Sequence, residues 1–207
     1  MKKIFDIGAN LGAFTDECIK QHPDAEIIMV EPNDSLISTL ENKFKNKNVK
    51  VLDFLVSTNS DEEVDFFISN TNTISTASRD WVENSRFSET YRWSEGVKKK
   101  TINLDTLIKN YGTPDLIKVD VEGYELEVIK GLSTKQKELC FEWAEEQYPD
   151  INKTCEHLKS IGYKEFGFIY GDDYLKKPET FTSWEACKIH NDINENRKEK
   201  WGMIWVK

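Results

Sequence analysis

Ile4-Phe5-Asp6-Ile7-Gly8-Ala9-Asn10-Leu11-Gly12 is the stretch of this sequence that decides the predicted fold. Its first four residues form a short apolar run that predicts a buried strand, and Gly8 to Gly12 supplies turn residues. The residues from Ala13 to Gln21 have helical character, and Pro23 ends the predicted helix. The chain therefore opens with a strand, a glycine-rich turn and a helix.

The same alternation continues along the chain. Ile27 to Val30 is a second buried strand, and Asn33 offers a capping side chain ahead of a helix from about Leu36 to Phe44. Two further strands are predicted at Val49–Val56 and Val64–Ile68, and both are expected to extend the sheet. Later strands are predicted at Lys99–Ile102, Asp115–Val119, Leu139–Trp143, Tyr163–Tyr170 and Trp201–Val206. The later helices are predicted at Leu104–Tyr111, Tyr124–Lys130 and Ile151–Ile161. Strands that alternate with helices of about ten residues predict a mostly parallel, doubly wound sheet in a three-layer α/β/α arrangement.

Length and composition predict a single domain over residues 1–207 of the 207-residue chain. Residues 69–96 are polar, lack a sustained period and are interpreted as an inserted loop or cap. The Asn- and Lys-rich stretch Asn191–Lys200 is a candidate mobile segment.

Charge and cysteine content limit the partners that we expect. The net charge is −9, from 37 acidic and 28 basic residues, which disfavours nucleic acid and anionic membranes. The four cysteines are scattered, without a metal-binding or disulfide spacing, and no run has the length of a membrane span or a signal peptide. We therefore expect a cytoplasmic protein without membrane insertion.

Acidic residues at the ends of the first two strands predict a nucleoside site. Glu31 follows the second strand about twenty residues beyond the glycine turn, where a carboxylate can accept hydrogen bonds from ribose hydroxyls. Asn10 replaces the middle glycine of the dinucleotide fingerprint, which disfavours a pyrophosphate and hence a nicotinamide-dependent dehydrogenase. Asp6 would repel a pyrophosphate but can attract an ammonium group.

Three segments of the chain resemble the signatures of FkbM-type methyltransferases. They are Phe5 to Gly12 with Thr15, then Val30-Glu31-Pro32, and the most specific one, Ile117-Lys118-Val119-Asp120-Val121-Glu122-Gly123-Tyr124-Glu125. The resemblance implies a class I, Rossmann-like methyltransferase fold with a seven-stranded sheet whose last strand, Trp201 to Val206, is antiparallel. It also implies S-adenosylmethionine as the methyl donor and S-adenosylhomocysteine as the product.

The resemblance also implies which residues hold this cofactor. Glu31 would bind the ribose, and Asp53 with Phe54 would contact the adenine, although Phe54 could equally be a core residue and Asp53 a strand-edge acid. The residues expected around the methionine part are Asp6, Gly8, Asn10 and Thr15, and the further cofactor-binding candidates are Ala9, Gly12, Pro32 and Asp120.

Carboxylates after the later strands are the catalytic candidates. Asp120 and Glu122 follow one predicted strand and Glu142 lies on the next, so they are expected to converge at the carboxyl edge of the sheet. Crowding of like charges raises at least one pKa, which makes a carboxylate a better general base. Asp120 is the first choice for the base and Glu142 the second, whereas Glu122 and Glu125 could instead stabilise a helix N-terminus. The same carboxylates could bind a divalent cation, but a metal is not favoured.

The predicted function is O-methylation of a hydroxyl group, on a sugar of a glycan or glycoconjugate. Aromatic residues in loop-like segments suit sugar rings, but they could also form a small core that caps the sheet: Trp81, Tyr91, Trp93 and Trp184. The alternatives are an RNA or protein methyltransferase, and a non-catalytic nucleoside-binding protein of the same fold.

Overall fold

The computed structural model describes residues 1–171, 173, 175–187 and 201–207, so the predicted mobile segment Asn191–Lys200 lies outside the described residues. The strands are β1 Lys3–Ile7, β2 Glu26–Val30, β3 Val49–Leu52, β4 Leu55–Val56, β5 Glu63–Phe66, β6 Val97–Ile102, β7 Leu116–Val119, β8 Leu139–Ala144, β9 Phe166–Tyr170 and β10 Trp201–Val206. The helices are α1 Ala13–Gln21, α2 Asp34–Phe44, α3 Arg79–Asn84, α4 Leu104–Tyr111, α5 Glu125–Lys130 and α6 Tyr148–Ser160. No helix in this described part of the chain is long and apolar enough to cross a membrane.

Seven strands form the central sheet in the order β3-β2-β1-β7-β8-β10-β9. The pairs β1–β2, β2–β3, β1–β7 and β7–β8 are parallel, whereas β10 pairs antiparallel with both β8 and β9. The predicted α/β fold, with its mostly parallel seven-stranded sheet and antiparallel last strand, is confirmed.

The sheet is buried on both faces. Alternate residues of a strand point into opposite layers, so Ile4 and Phe5 of β1 belong to two different apolar clusters. All six residues of β8 are buried, which is why the strand reads as an almost continuous apolar run. Glu142 is the acidic exception in this run.

The order of the strands reverses between β1 and β7. The chain builds β1, β2 and β3 outward on one side and then returns to add β7 and β8 on the other side of β1. Connections therefore leave the carboxyl ends of β1 and β7 in opposite directions and open a crevice between them, where ligands bind in open α/β sheets.

A second sheet explains two differences from the sequence prediction. The predicted strand Val49–Val56 is interrupted at Asp53 and Phe54, so that β3 stays in the central sheet and β4 leaves it. Strands β4, β5 and β6 form a separate three-stranded sheet in the order β4-β6-β5. The expectation that the predicted strands Val49–Val56 and Val64–Ile68 extend the central sheet was therefore wrong for β4 and β5. Three of the four residues of β5 and three of the six in β6 are not fully buried, unlike the residues of the central strand β8.

Residues 69–96 follow β5 and lead into β6. The segment contains a 3-10 turn at Asn72–Ile74 and helix α3, and a β-bridge between Ser69 and Trp93 joins its two ends. Trp81 of α3 is buried and packs edge-on against Phe87, which gives the segment a small aromatic core of its own.

Gly8 is required by the backbone at the end of β1. Its φ is +74°, and a Cβ built there would overlap the carbonyl oxygen of Asp120, which follows β7. Gly112 has a comparable φ of +86°, but a Cβ there would meet only the flexible end of the Lys3 side chain. The two glycines therefore share a positive φ and differ in what surrounds them.

We predict that Gly8→Ala destabilises the protein at least twice as much as Gly112→Ala. The left-handed conformation alone costs about 1–2 kcal/mol for an alanine, and only at Gly8 must the ends of two strands also separate. Urea unfolding of both variants measures the difference. Equal losses of unfolding free energy would contradict the close approach of β1 and β7.

Candidate active site

A cavity of about 530 Å³ lies at the carboxyl ends of β1, β2, β7 and β8. One side is formed by the β1–α1 turn and by the residues that follow β2, and the other by the residues that follow β7 together with Glu142 of β8. Its lining includes the site candidates Gly8, Ala9, Asn10, Glu31, Pro32, Phe54, Asp120, Glu122 and Glu142. The cavity occupies the crevice that the reversal of strand order creates.

The β1–α1 turn is held by backbone hydrogen bonds to β2. The amides of Gly8 and Ala9 both donate to the carbonyl oxygen of Val30, at 3.0 and 3.2 Å. Asn10 has a φ of +46°, and its side-chain Oδ1 is buried without a hydrogen-bond partner among the described residues. Because Asn10 lines the cavity, this oxygen is an acceptor available to a ligand.

Gly12 has a structural explanation that the sequence did not reveal. It does not line the cavity, and a Cβ there would lie 2.6 Å from the ring of Phe44 on α2. The glycine therefore allows α1 and α2 to pack closely and does not serve a close approach by a ligand.

Glu31 is buried beneath the turn, with 5% of its surface exposed. Its Oε2 accepts the amide proton of Asn10 at 2.8 Å, and its Oε1 accepts that of Asn33 at 2.9 Å. Burial raises the pKa of Glu31 to about 6, against the effect of these two hydrogen bonds. Each carboxylate oxygen has a second lone pair, so the side chain can still accept hydrogen bonds from a ligand in the cavity.

Asp6 lies behind the cavity wall. Its side chain has no exposed surface, its Oδ2 accepts the hydroxyl proton of Thr15 at 2.7 Å, and its Oδ1 lies 3.1 Å from the ammonium of Lys118. Neither Asp6 nor Thr15 lines the cavity, although both were expected around the methionine part of the cofactor. Packing of α1 against β1 turns these two side chains inward, where they hold Lys118.

Lys118 is a site residue to which the sequence analysis gave no role. Only 3% of its side chain is exposed, it lines the cavity, and its ammonium donates to the carbonyl oxygen of Gly8 at 2.8 Å and lies 3.5 Å from Asp120 Oδ2. The sequence does contain a signal for this role, because Lys118 lies within the apolar run of β7 and a buried charge requires a nearby partner.

The two residues predicted to contact adenine have different surroundings. Phe54 lines the cavity, but Asp53 does not, and its carboxylate lies 2.9 Å from the ammonium of Lys99 on β6. Lys99 also pairs with Asp34 at the start of α2. Consecutive side chains of an extended segment point to opposite sides, so Phe54 can face the cavity while Asp53 faces Lys99.

The three catalytic candidates converge. Asp120, Glu122 and Glu142 each place a carboxylate oxygen within 4.8 Å of the others, and all three line the cavity. Glu142 is 7% exposed, and its Oε2 is buried without a hydrogen-bond partner among the described residues. Burial, and then the carboxylates of Glu122 and Asp120, raise the pKa of Glu142 well above its usual range.

Glu125 shapes the turn that carries Glu122. Its buried carboxylate accepts the amide protons of Val121 at 3.0 Å and Gly123 at 3.1 Å, and Glu122 between them has a φ of +56°. Burial raises the pKa of Glu125 to about 7. Glu125 does not line the cavity, so its role is to stabilise the turn.

Residues 69–96 contribute part of the lining of the cavity. Asn72, Ile74, Arg86 and Phe87 are among the residues of this segment that line it. The guanidinium of Arg86 pairs with Glu146 at 3.2 Å and lies 4.7 Å from the centre of the Phe87 ring. The absence of any period in this segment concealed both residues from sequence analysis.

The four aromatic residues considered for sugar binding do not line this cavity. Trp81 is buried against Phe87, whereas Trp184 belongs to an apolar cluster of the central sheet and packs against Phe166 at a ring distance of 5.6 Å. Tyr91 and Trp93 line a separate groove on the surface.

Comparison with known proteins identifies the family. A family model described as "Methyltransferase FkbM domain" matches residues 6–175, most of the chain, and the chain belongs to this family. It is an S-adenosylmethionine-dependent methyltransferase, as the sequence signatures predicted. No curated protein sequence matches the chain.

Solved structures with the same fold have very different sequences. A fibrillarin pre-rRNA processing protein of Methanococcus jannaschii is 11% identical with a TM-score of 0.50, over 99% of this chain and 65% of that one. A precorrin-6y C5,15-methyltransferase from Geobacter metallireducens is 12% identical with a TM-score of 0.48, over 99% of this chain and 79% of that one. A fibrillarin of Aeropyrum pernix with natively bound S-adenosyl-L-methionine is 9% identical with a TM-score of 0.49, over 100% of this chain and 66% of that one. At these identities the likeness concerns the fold.

We predict that Lys118→Met destabilises the protein by about 3–5 kcal/mol, because it leaves the carboxylate of Asp6 buried without its cation. Asp6→Asn together with Lys118→Met should cost clearly less than the two single variants added, since the double variant removes both charges. A double-mutant cycle from urea unfolding gives the coupling. Additive losses would show that the two charges do not depend on each other.

Proposed function

We propose that this protein transfers a methyl group from S-adenosylmethionine to a hydroxyl group of a sugar, in a glycan or glycoconjugate. Methylation of a hydroxyl group is supported by three carboxylates that converge in the cavity, those of Asp120, Glu122 and Glu142. An alcohol oxygen is a poor nucleophile while it keeps its proton, so a transferase for hydroxyl groups needs a proton acceptor at this position.

The β1 and β2 side of the cavity fits the cofactor. Glu31 would accept hydrogen bonds from the ribose hydroxyls with its remaining lone pairs, and Phe54 and Pro32 would contact the adenine. The Oδ1 of Asn10, which has no partner within the described ranges, would accept a hydrogen bond from the methionine ammonium, next to the backbone of Gly8 and Ala9. Asp6 and Thr15 would act from behind, by fixing Lys118 and the turn.

The β7 and β8 side of the cavity would hold the acceptor. When bound, S-adenosylmethionine supplies a methyl group on a sulfonium sulfur, which leaves as a neutral thioether as the new oxygen–carbon bond forms. Asp120, partly exposed at the end of β7, would take the hydroxyl proton, and Lys118 beside it keeps Asp120 in place. Holding the acceptor oxygen in line with the methyl group is the larger part of the catalysis.

The lining of the acceptor side suits a sugar. Carboxylates accept hydrogen bonds from hydroxyl groups, and the ring of Phe87 offers an apolar surface to the face of a sugar ring. A net charge of −9 and the carboxylates in the cavity would repel the phosphates of RNA.

The cofactor site is tested by calorimetric titration with S-adenosylmethionine and S-adenosylhomocysteine. We expect binding to the wild type, weaker binding to Glu31→Ala, and unchanged binding to Glu26→Ala, which removes an acid at the opposite end of β2. NAD serves as the control ligand. Binding of NAD in place of both methyl-transfer ligands would contradict the proposal.

Cofactor affinity should depend on pH through Glu31. Because burial raises its pKa to about 6, Glu31 is ionised above that pH and becomes protonated below it. The ionised form accepts ribose hydrogen bonds better, so the dissociation constant should rise about tenfold one unit below this pKa. Glu31→Gln should bind more weakly but with little change over the same range. A wild-type affinity that stays constant as the pH falls would contradict this role of Glu31.

Asp120→Asn is expected to lower methyl transfer by about 10²- to 10⁴-fold, the usual contribution of a general base. Single turnovers at saturating cofactor separate this loss from any change in cofactor affinity. Asp115→Asn, at the opposite end of β7, should retain activity.

A panel of glycans, RNA and proteins identifies the acceptor. Transfer to RNA or protein alone would refute the sugar assignment, and cofactor binding without transfer to any acceptor would indicate a non-catalytic protein.

A further inference from the structure

The geometry of Asp120, Glu122 and Glu142 carries a further assignment. We propose that these three carboxylates bind a hard divalent cation, of the Mg²⁺, Mn²⁺ and Ca²⁺ type, which takes the acceptor hydroxyl as a ligand. The proposal deepens the proposed function and rests on it for the role of the cation, but binding of the cation can be measured without any methyl transfer.

The distances fit such a site. Ligand oxygens lie about 2.0–2.1 Å from Mg²⁺ and about 2.3–2.6 Å from Ca²⁺, so the ligand atoms of one site lie within about 4–5 Å of one another. One carboxylate oxygen from each of Asp120, Glu122 and Glu142 meets this condition, since all lie within 4.8 Å. Oxygen ligands from carboxylates are those that these cations prefer.

A buried oxygen of Glu142 gives independent support for a bound cation. Glu142 is 7% exposed, and its Oε2 has no hydrogen-bond partner among the described residues. Glu142 lines the cavity beside Asp120 and Glu122. A buried carboxylate oxygen without a partner is costly, and a cation between the three side chains would satisfy it.

Lys118 and Arg86, two cationic side chains that line the cavity, also have partners outside the cluster. Lys118 donates to the carbonyl oxygen of Gly8 and lies closer to Asp6, at 3.1 Å, than to Asp120, at 3.5 Å. Arg86 pairs with Glu146 and stacks on the ring of Phe87. Among the described residues, each of these two cations is thus shared with a carboxylate outside the cluster, Asp6 for Lys118 and Glu146 for Arg86.

The cation would activate the acceptor. Three protein ligands leave about three of the six positions that Mg²⁺ prefers for water and for an oxygen of the acceptor. Coordination lowers the pKa of the acceptor hydroxyl, whose proton passes to the Asp120 carboxylate oxygen that does not bind the cation and then to solvent. The oxygen is thereby ready to form the new bond to the methyl carbon.

Mn²⁺ is the probe for the site. Metal-free protein is titrated with Mn²⁺, and the loss of the paramagnetic resonance signal of free Mn²⁺ counts the bound ions. We expect one Mn²⁺ per chain, displaced by Mg²⁺ or Ca²⁺, with affinity reduced at least about tenfold in Glu142→Gln and in Asp120→Asn. Glu138→Gln, just before β8 and paired with Lys177, should bind as the wild type does.

Thermal unfolding distinguishes the loss of the cation site from a general loss of stability in a variant. Mn²⁺ should raise the Tm of the wild type and of Glu138→Gln but not that of Glu142→Gln, because only a folded site with all its ligands gains stability from the ion. Absence of Mn²⁺ binding to the wild type, or equal binding to Glu142→Gln, would overturn the site.

The role of the cation has a separate test. Methyl transfer should fall at least about tenfold in EDTA and recover with Mg²⁺ or Mn²⁺, whereas calorimetric binding of S-adenosylmethionine should be unaffected by EDTA. Full turnover in EDTA would overturn the role of the cation and leave the methyl transfer intact. Failure of S-adenosylmethionine to bind would instead contradict the proposed function.

Discussion

The burial of one ammonium group organises the whole carboxyl edge of the sheet. Lys118 projects from β7 into a space with almost no solvent, where Asp6 of β1 balances its charge and the carbonyl oxygen of Gly8 accepts its proton. Thr15 of α1 orients Asp6 in turn. A buried charge without its partner costs several kcal/mol, so β1, α1 and β7 can take up only the arrangement that keeps these groups together.

This arrangement divides the cavity into two chemical environments. On the β2 side, Glu31 sits under the turn with backbone amides on both oxygens, next to the apolar surface of Phe54. On the β8 side, carboxylates crowd together, and one of them, Glu142, is buried with an oxygen that has no partner in the part of the chain that the structure describes. Well-satisfied acceptors suit the recognition of a nucleoside, and crowded carboxylates suit the handling of protons or cations.

The cover of the cavity comes from outside the central sheet. Strands β4, β5 and β6 form their own small sheet, and residues 69–96 connect β5 to β6 across the opening. Arg86 and Phe87 reach the cavity from this segment, on the side where the acceptor is proposed to bind. Variation of such a connection can change the acceptor without disturbing the cofactor side, because loops at the carboxyl ends of strands tolerate change better than the strands do.

The sequence by itself determined the fold class, the β1–α1 turn and the position of Glu31, because strand and helix periods and turn glycines are local properties. The motifs around Asp6, Glu31 and Asp120 also predicted the family, which the family match confirms. The strand order also led us to expect that Asp120, Glu122 and Glu142 meet, as they do. Only the tertiary structure decided that Asp6 lies behind Lys118 and that Asp53 faces Lys99. Those outcomes depend on how strands distant in sequence pack and on which way a side chain turns at a strand end, and neither is encoded in local periodicity.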